Sequence, residues 1–140
     1  MDHGKTEEWL QTVPLFQGLS KKQLREVSSV ATRLNEPAGA VLTKEGQTGY
    51  EFIVVLEGEI EIRKGDRVVA SRGPGSYVGE IALLDNRPRT ATVVAKTPVV
   101  IEVIGRREFR SLLADAPELS EEIMSTMAQR LSELDADADT

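Results

Sequence analysis

Glu51-Phe52-Ile53-Val54-Val55-Leu56, then Gly58-Glu59-Ile60-Glu61-Ile62-Arg63, then Lys64-Gly65-Asp66-Arg67 and Val68-Val69-Ala70 decide the fold class. The first run is continuously apolar, the pattern of a strand buried on both faces. The second alternates strictly, which turns Ile60 and Ile62 inward and Glu59, Glu61 and Arg63 to water. The third is a hairpin turn leading into the next strand. Working outward, glycines at 39, 46, 49, 58, 65, 73, 75 and 79 punctuate the chain between Pro37 and Ile104. Thr92-Val93-Val94-Ala95 and Val99-Val100-Ile101-Glu102-Val103-Ile104 supply further strands. Many short strands separated by turn residues predict a mainly β protein with a closed or double-layered antiparallel barrel.

Helical patterns flank this segment. Ser20-Lys21-Lys22-Gln23 has the spacing of a capping box, in which a hydroxyl and an amide satisfy each other's chain-end donors. Leu24, Val27, Ala31 and Leu34 then recur at three and four, predicting one apolar helix face over 20–34. Ahead of it, Trp9, Leu10, Val13, Leu15 and Phe16 around Pro14 read as a short helix broken by a turn. Beyond the strands, Phe109, Leu112 and Leu113 share a side of 106–114. Pro117 suits a helix first turn, with Glu118, Glu121 and Glu122 near the positive end of its dipole. Ile123, Met127, Leu131 and Leu134 make a narrow stripe, either docked on the barrel or paired with a second helix. The expected organisation is one domain over 1–134: a helical segment 7–35, strands over 36–104, helices over 105–134, and a disordered acidic tail at 135–140.

Composition excludes several classes of chemistry. The 140 residues hold no cysteine and one histidine, His3. Thiol nucleophiles, Ser-His-Asp hydrolysis and zinc or multi-histidine metal sites are therefore not expected. The net charge of −6 is uneven: residues 1–114 carry +1 and residues 115–140 carry −7. No basic stripe suggests a nucleic-acid backbone as partner. No apolar run suits a membrane span, and the first ten residues lack the form of a signal peptide, so a cytoplasmic location is expected.

One stretch departs from the strand pattern. Gly79-Glu80-Ile81-Ala82-Leu83-Leu84 is glycine-led and helix-compatible, long enough for one turn that exposes backbone N–H groups. Such an end suits an anion, and glycine lets a phosphate approach without a Cβ in the way. Arg89 follows Pro88, and a guanidinium offers a planar fork that matches two phosphate oxygens. Thr90 adds a hydroxyl before Thr92-Val93 resumes the sheet. Glu80 is out of place beside an anion unless it has another task, such as accepting a sugar hydroxyl. The other reading is an exposed Glu80–Arg89 ion pair.

Gly79-Glu80-Ile81-Ala82-Leu83-Leu84, four residues, and Pro88-Arg89-Thr90-Ala91-Thr92-Val93 resemble the phosphate-binding cassette of the cyclic nucleotide-binding domain family. The resemblance takes in Pro14-Leu15-Phe16, Leu19, Gly39, Gly46, Leu56 and Gly58-Glu59, and spans residues 9 to about 131. It implies an eight-stranded antiparallel β-roll, jelly-roll-like, with its cassette at 79–93 between two strands. It implies that Arg89 binds the exocyclic oxygens of a 3′,5′-cyclic phosphate and that Glu80 accepts the ribose 2′-hydroxyl. The backbone N–H groups of Ile81, Ala82 and Ala91 would complete the cradle, with Gly79 against the sugar. Ile60, Val69 and Val78 would line the wall facing purine and ribose, or simply fill the core. Thr90 leaves both cyclic AMP and cyclic GMP open as ligand, and no further cofactor is implied.

The chain departs from catabolite-activator-type regulators after the barrel, since Pro117–Leu134 matches only the first part of their long helix. Leu134 and Asp135 lie near the expected purine lid without being obvious substitutes. The six residues that follow Leu134 are too few for a DNA-reading module, so no nucleic-acid partner is expected of this chain. The implied function is a non-enzymatic sensor in which ligand binding moves the C-terminal helix toward a protein effector or an attached output domain, with a homodimer through that helix as an option. The alternatives are a ligand-free interaction domain of the same fold, the excised regulatory domain of a larger channel, kinase or transferase, and a phosphodiesterase, for which no metal ligands or histidine acid are in view.

Overall fold

The computed structural model describes residues 3–83 and 88–138, with the side chains of 7–79, 82–83 and 88–129. The chain divides into two compact units, Val30–Phe109 and a discontinuous one made of the residues up to Ser29 and those from Arg110 onward.

The first unit is built from eight described strands in two four-stranded antiparallel sheets. They are β1 (Thr32–Glu36), β2 (Val41–Thr43), β3 (Glu51–Glu57), β4 (Ile60–Lys64), β5 (Arg67–Arg72), β6 (Tyr77–Val78), β7 (Thr92–Ala95) and β8 (Val99–Gly105). One sheet has the order β1-β8-β3-β6 and the other β2-β7-β4-β5. Phe52, Ile53, Val54, Val55 and Leu56 are all buried, as the unbroken apolar run predicts. Period two decides which of them meet the opposite sheet. Ile53 and Val55 of β3 join Val99, Ile101 and Val103 of β8, and these pack with Ile60, Val93 and Ala95 from the second sheet. Fully burying each such aliphatic side chain contributes roughly 1.5–3 kcal/mol, so this shared core is the main stabilising term of the unit. The β4–β5 hairpin closes through Gly65-Asp66, where Gly65 has φ +60° as a two-residue turn requires.

The second unit is helical. It contains α1 (His3–Leu10), a 3-10 turn at Pro14–Phe16, α2 (Lys21–Ser29) and α4 (Pro117–Ala138), and it receives the end of α3 (Arg106–Asp115). The capping box forms: Ser20 N–H donates to Gln23 Oε1 at 2.9 Å and Gln23 N–H to Ser20 Oγ at 3.2 Å. Leu10, Val13, Leu15, Phe16, Leu19, Leu24, Val27, Leu119 and Ile123 are its buried apolar side chains among the described residues.

Two expectations change. The helix predicted over 20–34 ends at Ser29, and Thr32–Glu36 becomes β1, with Leu34 opposite Ile101. Ladder bonds to β8 outweigh a helical period carried here only by Ala31 and Leu34. The helix expected to end at 134 continues as α4 to Ala138, through an alternation with alanine, the strongest helix former. Of its stripe, Ile123 is buried and Met127 half-buried, while the side chains of Leu131 and Leu134 lie outside the described residues, as does the end of the tail at 139–140.

Candidate functional site

Strand β6 stops at Val78 because Gly79 turns the backbone with φ +80°, a region that L side chains rarely adopt. The chain enters a 3-10 turn at Glu80–Leu83, closed by Ala82 N–H donating to Gly79 O at 2.9 Å. Ala82 and Leu83 are buried, which ties the turn to the β unit. Residues 84–87 of the cassette lie outside the described residues.

Arg89 is held through both backbone and side chain. Its N–H donates to Gln47 O and its carbonyl accepts from Gly46 N–H, both at 2.8 Å. An isolated bridge pairs Thr48 with Pro88 one residue earlier. The guanidinium Nη2 donates to Glu51 O. The same group fills the space beside Gly49 and Gly79, where a Cβ at either position would collide with it. Burial pushes the Arg89 guanidinium below its ordinary value, and the nearby Glu51 carboxylate opposes that shift. An anion reaching the guanidinium would offset the desolvation that burial imposes.

Between the cassette and the second sheet lies a cavity of about 460 Å³, within the size range of small-molecule sites. Gly79, Ala82, Arg89, Thr90 and Ala91 form its polar side. Ile62, Val78 and Val93 form an apolar wall, with Tyr77 and Pro88 completing the lining. Thr43, at the end of β2, also faces the cavity, and its hydroxyl donates to Ala91 O at 3.3 Å.

Six expected residues thus surround one cavity: Val78, Gly79, Ala82, Arg89, Thr90 and Ala91. Glu80 and Ile81 take their places in the turn backbone, and their side chains lie outside the described residues. The Ala82 amide differs from its expected role in an anion cradle, because it is used in closing the turn. Ile60 is 0% exposed in the core between the sheets and is absent from the cavity wall. Its neighbour on the same strand face, Ile62, stands opposite Val93 and lines the cavity with it. Val69 is also absent from the wall, since the β4–β5 register skips it. Ile62 pairs with Ala70 and Arg63 with Val68, so Val69 is the extra residue of a bulge, 43% exposed.

Sequence reasoning missed Thr43, Ile62, Tyr77, Pro88 and Val93 as lining residues. Only Pro88 and Val93, inside the cassette pattern, carried a signal for it. Among the described residues no group of three or more His, Cys, Asp or Glu is placed to hold a metal ion. No helix among them is long and apolar enough to cross a membrane.

Comparison with known proteins identifies the family. Residues 34–116 match the family model described as cyclic nucleotide-binding domain. A cyclic nucleotide-gated potassium channel of Rhizobium etli is 35% identical over 118 residues, which cover 84% of this chain and 33% of the channel. The crystal structure of the N-terminal domain of a transcriptional regulator from Streptomyces coelicolor A3(2) aligns with TM-score 0.84 at 30% identity, covering 94% of this chain and 95% of that one. The regulatory domain of Toxoplasma gondii PKA, solved with cAMP, aligns with TM-score 0.72 at 33% identity, covering 82% and 46%. The chain spans about a third of the length of the curated channel it matches.

Proposed function

The chain belongs to the cyclic nucleotide-binding domain family, and from that premise we propose that it is a non-catalytic sensor that binds cyclic AMP in the cavity beside Arg89. The observation that carries this reading is the guanidinium anchored on Glu51 O and packed against Gly79, at the polar side of a cavity whose other wall is apolar. A cyclic nucleotide has matching halves: a singly charged phosphodiester and a flat, largely apolar purine. Arg89 takes the exocyclic phosphate oxygens through charge-assisted bonds. The Ile81 and Ala91 amides supplement it, the Ala82 amide being committed to the turn. Glu80 accepts the ribose 2′-hydroxyl, and the purine lies against Ile62, Val78 and Val93.

The PKA regulatory domain solved with cAMP supports the adenine nucleotide as ligand. Thr90 lines the cavity and supplies a hydroxyl to a guanine amino group, which keeps cyclic GMP in the reading as the weaker ligand. We extend the proposal to the output: ligand binding changes the ordering of α4, which reports to a protein effector, to an attached domain or to a second copy of the chain in the cytoplasm. Calorimetric titration with cyclic AMP and cyclic GMP tests the ligand assignment. Saturable binding of cyclic AMP, tighter than of cyclic GMP, is expected. No heat and no shift in melting temperature at millimolar concentrations of either would overturn it. Hydrogen exchange with and without cyclic AMP tests the output, and unchanged protection over 117–134 would discard it.

A further inference from the structure

Arg106, the first residue of α3, is 8% exposed and does not line the cavity, yet it is bonded to the segments that build it. Its Nε donates to Ala82 O at 2.7 Å and its Nη2 to Gly49 O at 2.8 Å. Its backbone N–H donates to Tyr50 O at 2.8 Å, and the guanidinium carbon lies 4.9 Å from the centre of the Tyr50 ring. The next carbonyl along, Glu51 O, accepts from Arg89. Three consecutive carbonyls, those of residues 49, 50 and 51, therefore hold Arg106 and Arg89 between them.

We infer that Arg106 is a positioning residue for the ligand site, fixing the Gly79–Leu83 turn and the 49–51 segment against each other so that Arg89 and the turn, which both border the cavity, meet the ligand in register. The inference rests on the cyclic nucleotide reading of the cavity. The carbonyl of Ala82 falls at the end of a turn too short to satisfy it internally, so an outside donor is needed. A guanidinium suits the position because its donors are fixed in one plane and reach two carbonyls from separate segments at once. A lysine ammonium at the end of a flexible stem does not hold that geometry. The Tyr50 ring beneath the cation further restricts where the fork points. Arg106 thus sets the position of the turn, through Ala82 O, and of the carbonyl row that carries Arg89.

Arg106→Lys and Arg106→Gln in the full chain provide the test, with cyclic AMP as probe. Three measurements are needed: calorimetric Kd, amide exchange over 79–83 in the ligand-free protein, and urea unfolding. Both variants are expected to stay folded, to exchange at least tenfold faster over 79–83 with β3 and β8 unchanged, and to bind at least tenfold more weakly through faster dissociation. A folded Arg106→Lys variant with the wild-type Kd overturns the inference, as does a loss of binding that merely tracks the unfolded fraction. Should Arg106→Gln fail to fold, Arg106→Lys and Tyr50→Leu carry the same measurements. If the wild-type protein does not bind cyclic AMP, the ligand reading fails, while the exchange measurement still decides whether Arg106 holds the turn.

Discussion

The guanidinium of Arg89 occupies the volume that a side chain at Gly79 would require. That overlap and the left-handed backbone at φ +80° each require glycine at 79, and the absent side chain leaves room for the guanidinium at the polar side of the cavity. A Cβ at Gly79 would also stand 2.7 Å from Glu51 O, the acceptor that anchors Arg89. Gly79→Ala is therefore expected to act twice. The left-handed conformation costs about 1–2 kcal/mol of stability. Displacing the guanidinium weakens cyclic AMP binding by at least roughly tenfold, the loss of about one charge-assisted bond. Urea unfolding and calorimetry measure the two separately, and an unaltered Kd in the folded variant contradicts the geometry.

On the proposed binding mode, Arg89→Ala removes charge-assisted bonds to the phosphate worth roughly 1.5–3 kcal/mol each. In the ligand-free protein its removal forfeits the bond to Glu51 O but also the desolvation that half-burial imposes on the cation, so a small net cost is expected there. The expected result is a much weaker Kd with a nearly unchanged melting temperature. A large drop in melting temperature with affinity preserved would make Arg89 a structural residue.

The proposed contact to the sugar belongs to Glu80, whose backbone opens the cassette turn. Glu80→Ala should reduce affinity for cyclic AMP while leaving that for 2′-deoxy cyclic AMP nearly unaffected, because only the ribonucleotide offers the 2′-hydroxyl. Equal losses for both ligands, measured by competition, contradict the assignment.

Thr43 was invisible in the sequence as a site residue, since a lone threonine ending a short strand has no pattern around it. In the structure its hydroxyl donates to Ala91 O at 3.3 Å and its side chain faces the cavity. Thr43→Val keeps the shape and removes the donor. Ala91 O then loses a bond worth about 0.5–1.5 kcal/mol. Stability should fall by that amount and cyclic AMP affinity by roughly threefold as the Ala91 peptide loosens. Unaltered affinity would confine Thr43 to the fold.

The readable parts of the molecule were those dictated by local pattern. The continuous run at 52–56 became a strand buried on both faces, and the reciprocal Ser20–Gln23 cap formed as its spacing implied. The cassette was legible because Gly79 and Pro88-Arg89 have steric and electrostatic meanings that survive without a structure. What stayed hidden depends on register between distant strands. Thr32–Glu36 joins β8 across nearly seventy residues of chain, and nothing in a helical repeat announces that pairing. The bulge that removes Val69 from the wall likewise arises only where β4 and β5 fall out of step. Arg106 escaped notice because its partners are carbonyls, and every residue has one.

The two isoleucines of β4 separate core from site. Both face inward by the period of the strand, but Ile60 pairs with Ala95 and Ile62 with Val93, one step nearer the cavity. Ile60 is 0% exposed and packed on all sides by both sheets. Ile60→Ala leaves a void there and is expected to cost about 2–5 kcal/mol of stability. Ile62 has one side toward open cavity, so its truncation leaves fewer contacts unfilled in the ligand-free protein. Its cost is expected on binding, where three carbons no longer cover the purine, a loss of up to about 0.8 kcal/mol for each and so of up to roughly fiftyfold in Kd. Unfolding and titration of both variants should therefore give opposite rankings. If Ile60→Ala weakens binding in the folded protein more than Ile62→Ala does, the purine lies deeper between the sheets than the cavity wall indicates.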